Sequence, residues 1–309
     1  MTKTIKKPLS FSPVNIAYAS NEGYAQPLAV SVYSLLLNSS KSRLYDIIIM
    51  HKDITSESIE KFRLIEKAFP NCSIRFIDVS ELDESVSSRV CSYITCETNY
   101  RLFLFGEMFA EYDRMIYLDC DTVVTGDISE LFDMSLDGNA AGAAEAVEGR
   151  YYSHSKKAVF YNKTPYNFDD YRRKILGMKI IQNYFNAGVM LLDLKKCREI
   201  TSAEAAVELL NSKPFIYNDQ DTLNIIFKDS LKMLDLKWNY TINIEHSNVS
   251  PNPMIRKLYE GTKRTDYRII HFVSGRKPWN ADVPLGEYYH KYQTLLKEDI
   301  LCQQQKEEN

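Results

Sequence analysis

The run Met115–Asp121 (MIYLDCD) constrains the fold of this chain more than any other stretch. Four apolar residues predict a buried strand, and two carboxylates follow it one residue apart. Because side chains alternate along a strand, Asp119 and Asp121 point to one side and Cys120 points to the other. In open α/β sheets, ligands bind at the carboxyl ends of the strands. The run therefore predicts an α/β protein with an acidic pair at its ligand-binding edge.

The acidic pair also predicts a cation. Two close carboxylates repel each other and are costly to desolvate unless a cation or a proton is shared between them. Oxygen ligands favour Mg²⁺ or Mn²⁺, ions that commonly hold substrate phosphates. The residues leave three interpretations open: solvated or turn-capping aspartates, a nucleotide-sugar glycosyltransferase, and an aspartate-nucleophile phosphatase of the haloacid dehalogenase type. In the phosphatase, Asp119 would be the nucleophile and Asp121 the acid.

Alternating apolar runs and helical patterns predict βαβ units, and hence a mainly parallel central sheet flanked by helices. The predicted strands cover residues 14–19, 45–50, 73–79, 115–119, 140–146, 184–194 and a short run beginning at 269. The predicted helices cover residues 26–37, 56–68, 99–109, 203–210, 222–227 and 286–300. The segment at about 148–182 is polar, Tyr-rich and irregular, and it is long enough for a functional loop. Three strands precede Asp119, whereas the nucleophile strand of such phosphatases normally opens the domain, so the phosphatase becomes the minor alternative.

Composition further restricts the class of protein to which this chain can belong. The 309 residues suffice for one large α/β domain or two small ones. With 38 basic against 41 acidic residues, the chain has no electrostatic footprint for nucleic acid. It has no apolar run of membrane-spanning length and no signal-type apolar region at its start, so we expect no stable membrane insertion. The six cysteines form no C-x-x-C pair, which predicts free thiols and a cytoplasmic location.

Four further segments place polar residues beside apolar runs. Residues 19–24 (ASNEGY) follow the first strand, where nucleotides bind in open α/β folds. Residues 184–189 (YFNAGV) put Asn186 next to small residues that permit close approach. Residues 218–221 (NDQD) open a helix, and their acids suit its positive end. Residues 269–279 (IIHFVSGRKPW) end a strand in a histidine and continue as a basic loop.

Taken together and in this order, LDCDTVVTGDISELF, YFNAGVMLLDL, NDQDTLN and HFVSGRKPW resemble glycosyltransferase family 8. This family comprises retaining enzymes of the GT-A fold, among them bacterial lipopolysaccharide galactosyl- and glucosyltransferases and glycogenin. The resemblance extends over residues 14–280. It implies a Rossmann-like nucleotide-diphospho-sugar transferase fold, with residues 1–280 as the catalytic domain and 281–309 as a C-terminal helical extension.

The resemblance also implies a role for each matching residue. The metal ligands are Asp119, Asp121 and His271, and the imidazole favours Mn²⁺, with Mg²⁺ as the alternative. The nucleotide site is formed by Ala19, Ser20, Asn21, Tyr24, Asp119 and Lys277. The donor sugar is held by Arg101, Asn186, Asp219 and Gln220, of which Gln220 and Asp219 are the catalytic candidates. Each side chain alone has a plainer interpretation: a core histidine at 271, a solvated loop lysine at 277 and a surface ion pair at 101.

Two positions depart from the family pattern. The family often has aspartate where Asn21 stands, and glycine where Ser274 stands. An asparagine can still hydrogen-bond a base edge, so uridine stays the expected base. The serine predicts a somewhat different path for the loop over the phosphates.

The activity implied is that of an Mn²⁺-dependent hexosyltransferase acting in bacterial glycan or glycoprotein biosynthesis. It would move glucose or galactose from a UDP-sugar, with retention, to a saccharide, glycolipid or glycoprotein acceptor. Because an amide is a poor nucleophile, Gln220 favours front-face displacement over a covalent intermediate, with Asp219 as the alternative nucleophile. A non-catalytic UDP-sugar-binding protein is the alternative from another class, and the intact Asp119, Asp121 and His271 set argues against it.

Overall fold

The structure is a computed structural model and describes residues 12–86, 96–155, 158–243 and 252–308. The strands are β1 (Val14–Ala19), β2 (Tyr45–His51), β3 (Cys72–Asp78), β4 (Arg114–Leu118), β5 (Thr122–Val124), β6 (Ala141–Glu145), β7 (Val159–Tyr161), β8 (Thr164–Tyr166), β9 (Phe185–Asp193), β10 (Leu231–Leu234), β11 (Tyr240–Thr241) and β12 (Ile269–His271). The α-helices are α1 (Ala25–Asn38), α2 (Ser56–Ala68), α3 (Ser80–Asp83), α4 (Ile128–Phe132), α5 (Gly149–Ser155), α6 (Phe168–Asp170), α7 (Leu194–Ile200), α8 (Ala203–Ser212), α9 (Asn218–Phe227), α10 (Pro253–Leu258) and α11 (Gly286–Glu308).

A seven-stranded sheet in the order β10-β6-β9-β4-β1-β2-β3 forms the centre of the molecule. β9 is antiparallel to both of its neighbours, and the other pairings are parallel. β1 and β2 are buried along their whole length, as expected for mostly apolar strands covered on both faces. One face packs against α1, α2 and α11, and the other against the 96–109 segment and α7 to α9. The predicted α/β fold with a mainly parallel sheet is confirmed.

A second, three-stranded sheet brings the histidine to the acidic pair. β12 lies antiparallel to β5, with His271 opposite Thr122, and β11 pairs with the other side of β12. β5 begins directly after Asp121. The two carboxylates and the imidazole therefore meet at the junction of the two sheets, although 150 residues of chain separate them.

Residues 99–109 depart from the predicted α-helix. They lie in two 3₁₀ segments, Cys96–Phe105 and Glu107–Phe109. Gly106 separates the segments in an extended conformation (φ −95°, ψ 174°), which breaks the helical hydrogen-bond pattern. The segment still buries its aromatic side chains against the sheet.

The Tyr-rich insert is more ordered than its sequence suggests. It contains α5, the β7–β8 hairpin, α6, a π-helical turn at Tyr171–Ile175 and a 3₁₀ turn at Ile181–Asn183. Asn162 and Lys163 form the two-residue hairpin turn with positive φ (48° and 63°), as this tight turn requires. A separate aromatic core centred on Phe168 and Tyr171 holds the insert together.

The C-terminal helix α11 continues beyond the predicted end at 300. Its apolar side packs on α1 and α2, and Tyr33 donates a hydrogen bond of 2.5 Å to Asp299. The division at residue 280 stays a prediction. Among the described helices, none combines the length and apolar character needed to cross a bilayer. The described cysteines, 72, 96, 120, 197 and 302, are free thiols, and Cys91 lies outside the described residues.

Candidate active site

A cleft of about 1240 Å³, counting the part open to solvent, lies at the carboxyl ends of β1, β4 and β12. The structure brings every site residue predicted from the sequence to this cleft: Ala19, Ser20, Asn21, Tyr24, Arg101, Asp119, Asp121, Asn186, Asp219, Gln220, His271 and Lys277. Parallel strands that end at one edge explain why segments so distant in sequence converge here.

Asp119, Asp121 and His271 form a compact group of metal-ligand type. His271 Nε2 lies 3.0 Å from Asp121 Oδ1 and 3.7 Å from Asp119 Oδ2. One ligand atom from each residue lies within 4.8 Å of the other two. The imidazole side chain is only 3% exposed, and the two carboxylates are 22% and 14% exposed, so the group opens toward the cleft on its acidic side.

A relay of amides determines which nitrogen of His271 carries the proton. The backbone N–H of Gly188 donates to Asn186 Oδ1 at 3.0 Å, so this oxygen is an acceptor. Asn239 Nδ2 donates to the same oxygen at 2.9 Å, which leaves Asn239 Oδ1 facing His271 Nδ1, also at 2.9 Å. Nδ1 must then carry a proton, so in the neutral ring Nε2 presents its lone pair to the carboxylates.

This arrangement fits a divalent cation. An unprotonated nitrogen facing two carboxylates leaves three lone-pair donors directed at one point, and a positive ion resolves their repulsion. Gly188 leaves room for the imidazole and the carboxylate: a Cβ atom there would lie 2.2 Å from His271 Cε1 and 2.6 Å from Asp119 Oδ2. Burial opposes the charge on Asp121, but Lys277 and His271 beside it together outweigh that effect and hold the pKa of the carboxyl well below its usual range.

Arg101 links the acidic pair to a third carboxylate. It donates to Asp119 Oδ1 at 2.8 Å and lies 3.0 Å from Asp219 Oδ2. It also donates to the carbonyl oxygens of Thr98 and Ala187, at 2.7 and 2.6 Å. The side chain is only 3% exposed, so the surface ion pair is the wrong interpretation. Burial raises the pKa of Asp219 to about 6, against the opposing charge of Arg101.

Gln220 is held by its neighbours in one orientation. Its Oε1 accepts from the backbone N–H of Ala187 at 3.2 Å, and its Nε2 donates to the Tyr184 hydroxyl at 3.1 Å. Tyr184 and Tyr171 each donate to the fully buried Asp221 at 2.7 Å. The amide therefore faces the cleft from a preorganised hydrogen-bond network.

The side of the cleft formed by residues 19–24 is also preorganised. Asn21 accepts from the backbone N–H of Tyr24 at 3.1 Å and donates to Glu97 Oε2 at 3.0 Å. The Tyr24 ring meets Trp279 edge-on, with centroids 5.8 Å apart. The amide of Asn21 thus has a defined direction, imposed by a carboxylate that the sequence did not single out.

Lys277 and Ser274 shape the basic loop. Lys277 is 5% exposed, contacts Asp121 and donates to the Phe272 carbonyl at 2.5 Å, so it is not a solvated loop lysine. Ser274 has φ 93°, a conformation that favours glycine. The serine therefore adopts the backbone shape that a glycine would take at this position.

Sequence reasoning missed the residues that act through others. Asn239, Tyr184, Asp221 and Glu97 each orient a predicted site residue, yet no motif of recognised spacing contains Asn239 or Glu97. Asp221 belongs to the NDQD segment, and its place at the start of α9 was the only available signal.

Comparison with solved structures identifies the fold class as that of GT-A glycosyltransferases. The chain superposes on the apo structure of the bifunctional glycosyltransferase WbbM with TM-score 0.82 and 22% identity over 96% of its length, and it spans 53% of that protein. It superposes on the galactosyltransferase LgtC, solved with donor and acceptor sugar analogs, with TM-score 0.70 and 22% identity over 91% of this chain and 95% of LgtC. At this level of identity the likeness establishes the fold alone.

The family follows from the sequence comparison. The family model described as glycosyl transferase family 8 matches residues 15–283, and the chain belongs to that family. It is 30% identical over 283 residues to a lipopolysaccharide 1,2-glucosyltransferase of Escherichia coli (strain K12), covering 89% of this chain and 76% of the relative. The protein is therefore a glycosyltransferase, as the resemblance predicted. Neither these relatives nor any described residue favours the phosphatase or the non-catalytic binding protein.

Proposed function

We propose that this protein is an Mn²⁺-dependent, retaining α-glycosyltransferase that moves glucose or galactose from a UDP-sugar to a saccharide, glycolipid or glycoprotein acceptor. The main support is the group Asp119, Asp121 and His271, whose imidazole is oriented with Nε2 toward the carboxylates. The proposed cytoplasmic location rests on the cysteine pattern of the sequence.

The acidic pair and His271 would hold the metal. Two carboxylates and one imidazole form a donor set in which the nitrogen favours Mn²⁺ over Mg²⁺. When bound, the ion supplies positive charge to the diphosphate leaving group, a contribution of several kcal/mol in catalytic metal sites.

Lys277 is proposed to serve the same leaving group. Its ammonium now neutralises Asp121 inside a nearly closed loop. A divalent cation held by Asp121 would neutralise that carboxylate in place of Lys277. The ammonium group would then be available to bind a phosphate oxygen. A compact, flexible ammonium suits this exchange of partners.

The donor hexose is proposed to lie between Asp219, Gln220, Asn186 and Arg101. Sugar hydroxyls need paired donors and acceptors, which these side chains offer on one side of the cleft. Glucose and galactose differ only in the direction of one hydroxyl. One relative is a glucosyltransferase and one structural neighbour is a galactosyltransferase, so both hexoses stay in the proposal.

The uridine is proposed to bind along residues 19–24. Tyr24 offers a half-buried ring there, and the amide of Asn21 has a direction imposed by Glu97. A uracil base presents both a donor and an acceptor at its edge, and a fixed amide can pair with either.

For the chemical step we propose front-face displacement. The bond between the anomeric carbon and the UDP oxygen breaks, the acceptor oxygen bonds to the same face, and its proton passes to the departing phosphate. Gln220 would orient the sugar and stabilise its positive charge through the amide dipole. Asp219, the alternative nucleophile, forms an ion pair with Arg101 at 3.0 Å, and this pairing reduces the nucleophilicity of its carboxylate.

Calorimetry of UDP binding with and without Mn²⁺ tests the proposal. We expect Mn²⁺ to strengthen UDP binding in the wild type, and we expect Asp119→Asn, Asp121→Asn and His271→Ala to abolish this gain while circular dichroism stays native. Asp133→Asn is the matched control, because Asp133 only pairs with Arg43 at the surface. Equal Mn²⁺ enhancement in all of these variants would refute the metal site. Turnover of GDP- or CMP-sugars alone would refute the uridine assignment.

A further inference from the structure

The cleft has a wall to which the proposed donor site assigns no residue. The proposed donor residues belong to the β1 end, the 96–105 segment, β9, α9 and the 272–279 loop. Glu148, Tyr152 and Phe168 also line the cleft, but they belong to the insert that follows β6. A transferase binds its donor and its acceptor in one cleft, so the wall that the proposed donor site does not include is available to the acceptor.

The wall carries a carboxylate, Glu148, with one oxygen that lacks a hydrogen-bond partner. Glu148 Oε1 is buried from solvent and makes no hydrogen bond to any described residue. Burial raises the pKa of Glu148, and the nearby Thr241 hydroxyl and His271 offset this effect only in part. An unsatisfied buried carboxylate oxygen destabilises a fold, and such groups persist where a ligand supplies the missing donor.

Aromatic rings line the same wall as this carboxylate. Phe168 is 1% exposed and holds Tyr152 at 5.7 Å and Tyr217 at 6.1 Å between ring centroids, while those two tyrosines are only half buried. Gly149 lets α5 approach, since a Cβ there would lie 3.0 Å from the Phe168 ring. A rigid ring face next to a carboxylate matches a pyranose, which presents C–H groups on its face and hydroxyls on its rim.

The charge of this wall restricts which sugars can bind there. Of the described cations near it, Arg150 is paired with Glu145 at 2.6 Å and Arg172 with Asp169 at 2.6 Å. Neither arginine therefore offsets the charge of Glu148. A phosphorylated sugar or a uronic acid would be repelled, whereas a neutral sugar would donate its hydroxyl hydrogens.

We propose that Glu148 and Tyr152 form the acceptor subsite, in which a neutral pyranoside stacks on the tyrosine ring and donates a hydroxyl hydrogen bond to the carboxylate. This inference rests on the proposed glycosyltransferase function and specifies its second substrate. It gives the Tyr-rich insert a role in choosing the acceptor.

The test measures release of UDP from UDP-glucose and UDP-galactose, with Mn²⁺, in the presence of methyl glucosides, methyl galactosides, lactose and methyl glucuronide. We expect at least one neutral glycoside to change UDP release or to yield a disaccharide by mass spectrometry, and we expect the glucuronide to be poorer. Glu148→Gln should raise the half-maximal glycoside concentration roughly ten- to a hundred-fold, the range for a hydrogen bond to a charged group, and should reduce discrimination against the glucuronide.

Two matched controls isolate the effect. Glu145→Gln removes a charge three residues away that is satisfied by Arg150, and it should keep the wild-type response to glycosides. Tyr152→Ala should weaken the response, whereas Tyr152→Phe keeps the ring and should retain most of it. Because Glu148 has an unsatisfied oxygen, Glu148→Gln should also unfold at a temperature no lower than that of the wild type.

Wild-type glycoside responses in both Glu148→Gln and Tyr152→Ala would overturn the subsite. So would a wild-type enzyme that releases UDP but responds to no glycoside, a result that leaves the donor chemistry standing. If no UDP-hexose is turned over under any condition, the proposed function itself fails, and this inference fails with it.

Discussion

Asn239 accepts a hydrogen bond from His271 Nδ1 at 2.9 Å, and this contact leaves Nε2 of the buried imidazole facing Asp119 and Asp121. The orientation of Asn239 is imposed in turn by Asn186 and the backbone N–H of Gly188. A backbone amide cannot reverse its polarity, so the tautomer of the imidazole is determined by the main chain of β9. The preorganisation of the site thus begins in the sheet.

Asn239→Leu should weaken Mn²⁺ binding roughly ten- to a hundred-fold, the usual effect of removing the partner of a metal-ligating histidine. Asn239→Asp keeps an acceptor for Nδ1–H and should retain most of the affinity. Isothermal titration with Mn²⁺ in the presence of UDP measures both variants. Equal losses of Mn²⁺ affinity in Asn239→Leu and Asn239→Asp would mean that Asn239 acts only in packing.

Gly188→Ala should abolish Mn²⁺-enhanced UDP binding, because the new methyl group would occupy the space of the His271 ring and the Asp119 carboxylate. We also expect a loss of about 1–3 kcal/mol in the free energy of unfolding, as in other overpacked cores. Gly286→Ala is the control, since a Cβ there meets its neighbours at 3.4 Å or more. Urea denaturation and UDP titration of both variants decide the matter, and full UDP enhancement in Gly188→Ala would contradict the geometry.

Gln220→Ala should lower kcat by roughly ten- to a hundred-fold and leave residual activity, because an orienting amide helps but forms no bond in the reaction. Proton NMR of the product should show an α linkage from the UDP-α-hexose. Asp219→Asn is the companion variant. A β-linked product would refute retention, and a glycosyl adduct trapped on Asp219 would refute front-face displacement.

Asp219 should make the stability of the metal-free protein depend on pH. Its pKa rises on folding from 3.8 to about 6, so the folded state binds the proton more tightly than the unfolded chain does. The stabilisation is therefore complete below the unfolded pKa and is lost as the pH rises through about 6. Relative to the wild type, Asp219→Asn should gain about 2 kcal/mol in the free energy of unfolding between roughly pH 4 and pH 7.5. Urea denaturation in the presence of a chelator measures this gain. A difference between Asp219→Asn and the wild type that does not change with pH would show that the pKa of Asp219 is unshifted.

Ser274→Gly should stabilise the basic loop by about 1 kcal/mol, since φ 93° strains any residue with a Cβ. Ser274→Ala loses the same hydroxyl but keeps the strain, so it should not stabilise. Thermal unfolding of the three proteins separates backbone strain from the hydroxyl contact to the Arg276 N–H at 3.4 Å. Equal melting temperatures for the glycine and alanine variants would argue that the strain is absent.

The sequence by itself determined the sheet and the location of the cleft. Mostly apolar runs such as Tyr45–Met50 predict strands covered on both faces, and an acidic pair directly after such a run is expected at a sheet edge. These are local patterns, so one sequence suffices to interpret them. The segment at 99–109 shows their limit: its side-chain spacing indicated an α-helix, but Gly106 and burial against the sheet left it in 3₁₀ segments.

Only the tertiary structure decided which side chains act through others. Asn239 and His271 are 32 residues apart, and Asn21 and Glu97 are 76 apart, so no local pattern connects either pair. Nor could the sequence show that one oxygen of Glu148 is buried and unpaired, since that depends on how distant segments pack around it. Chemistry-bearing residues can be recognised from their type and spacing, whereas hydrogen-bond direction and desolvation arise only when distant segments of the chain meet.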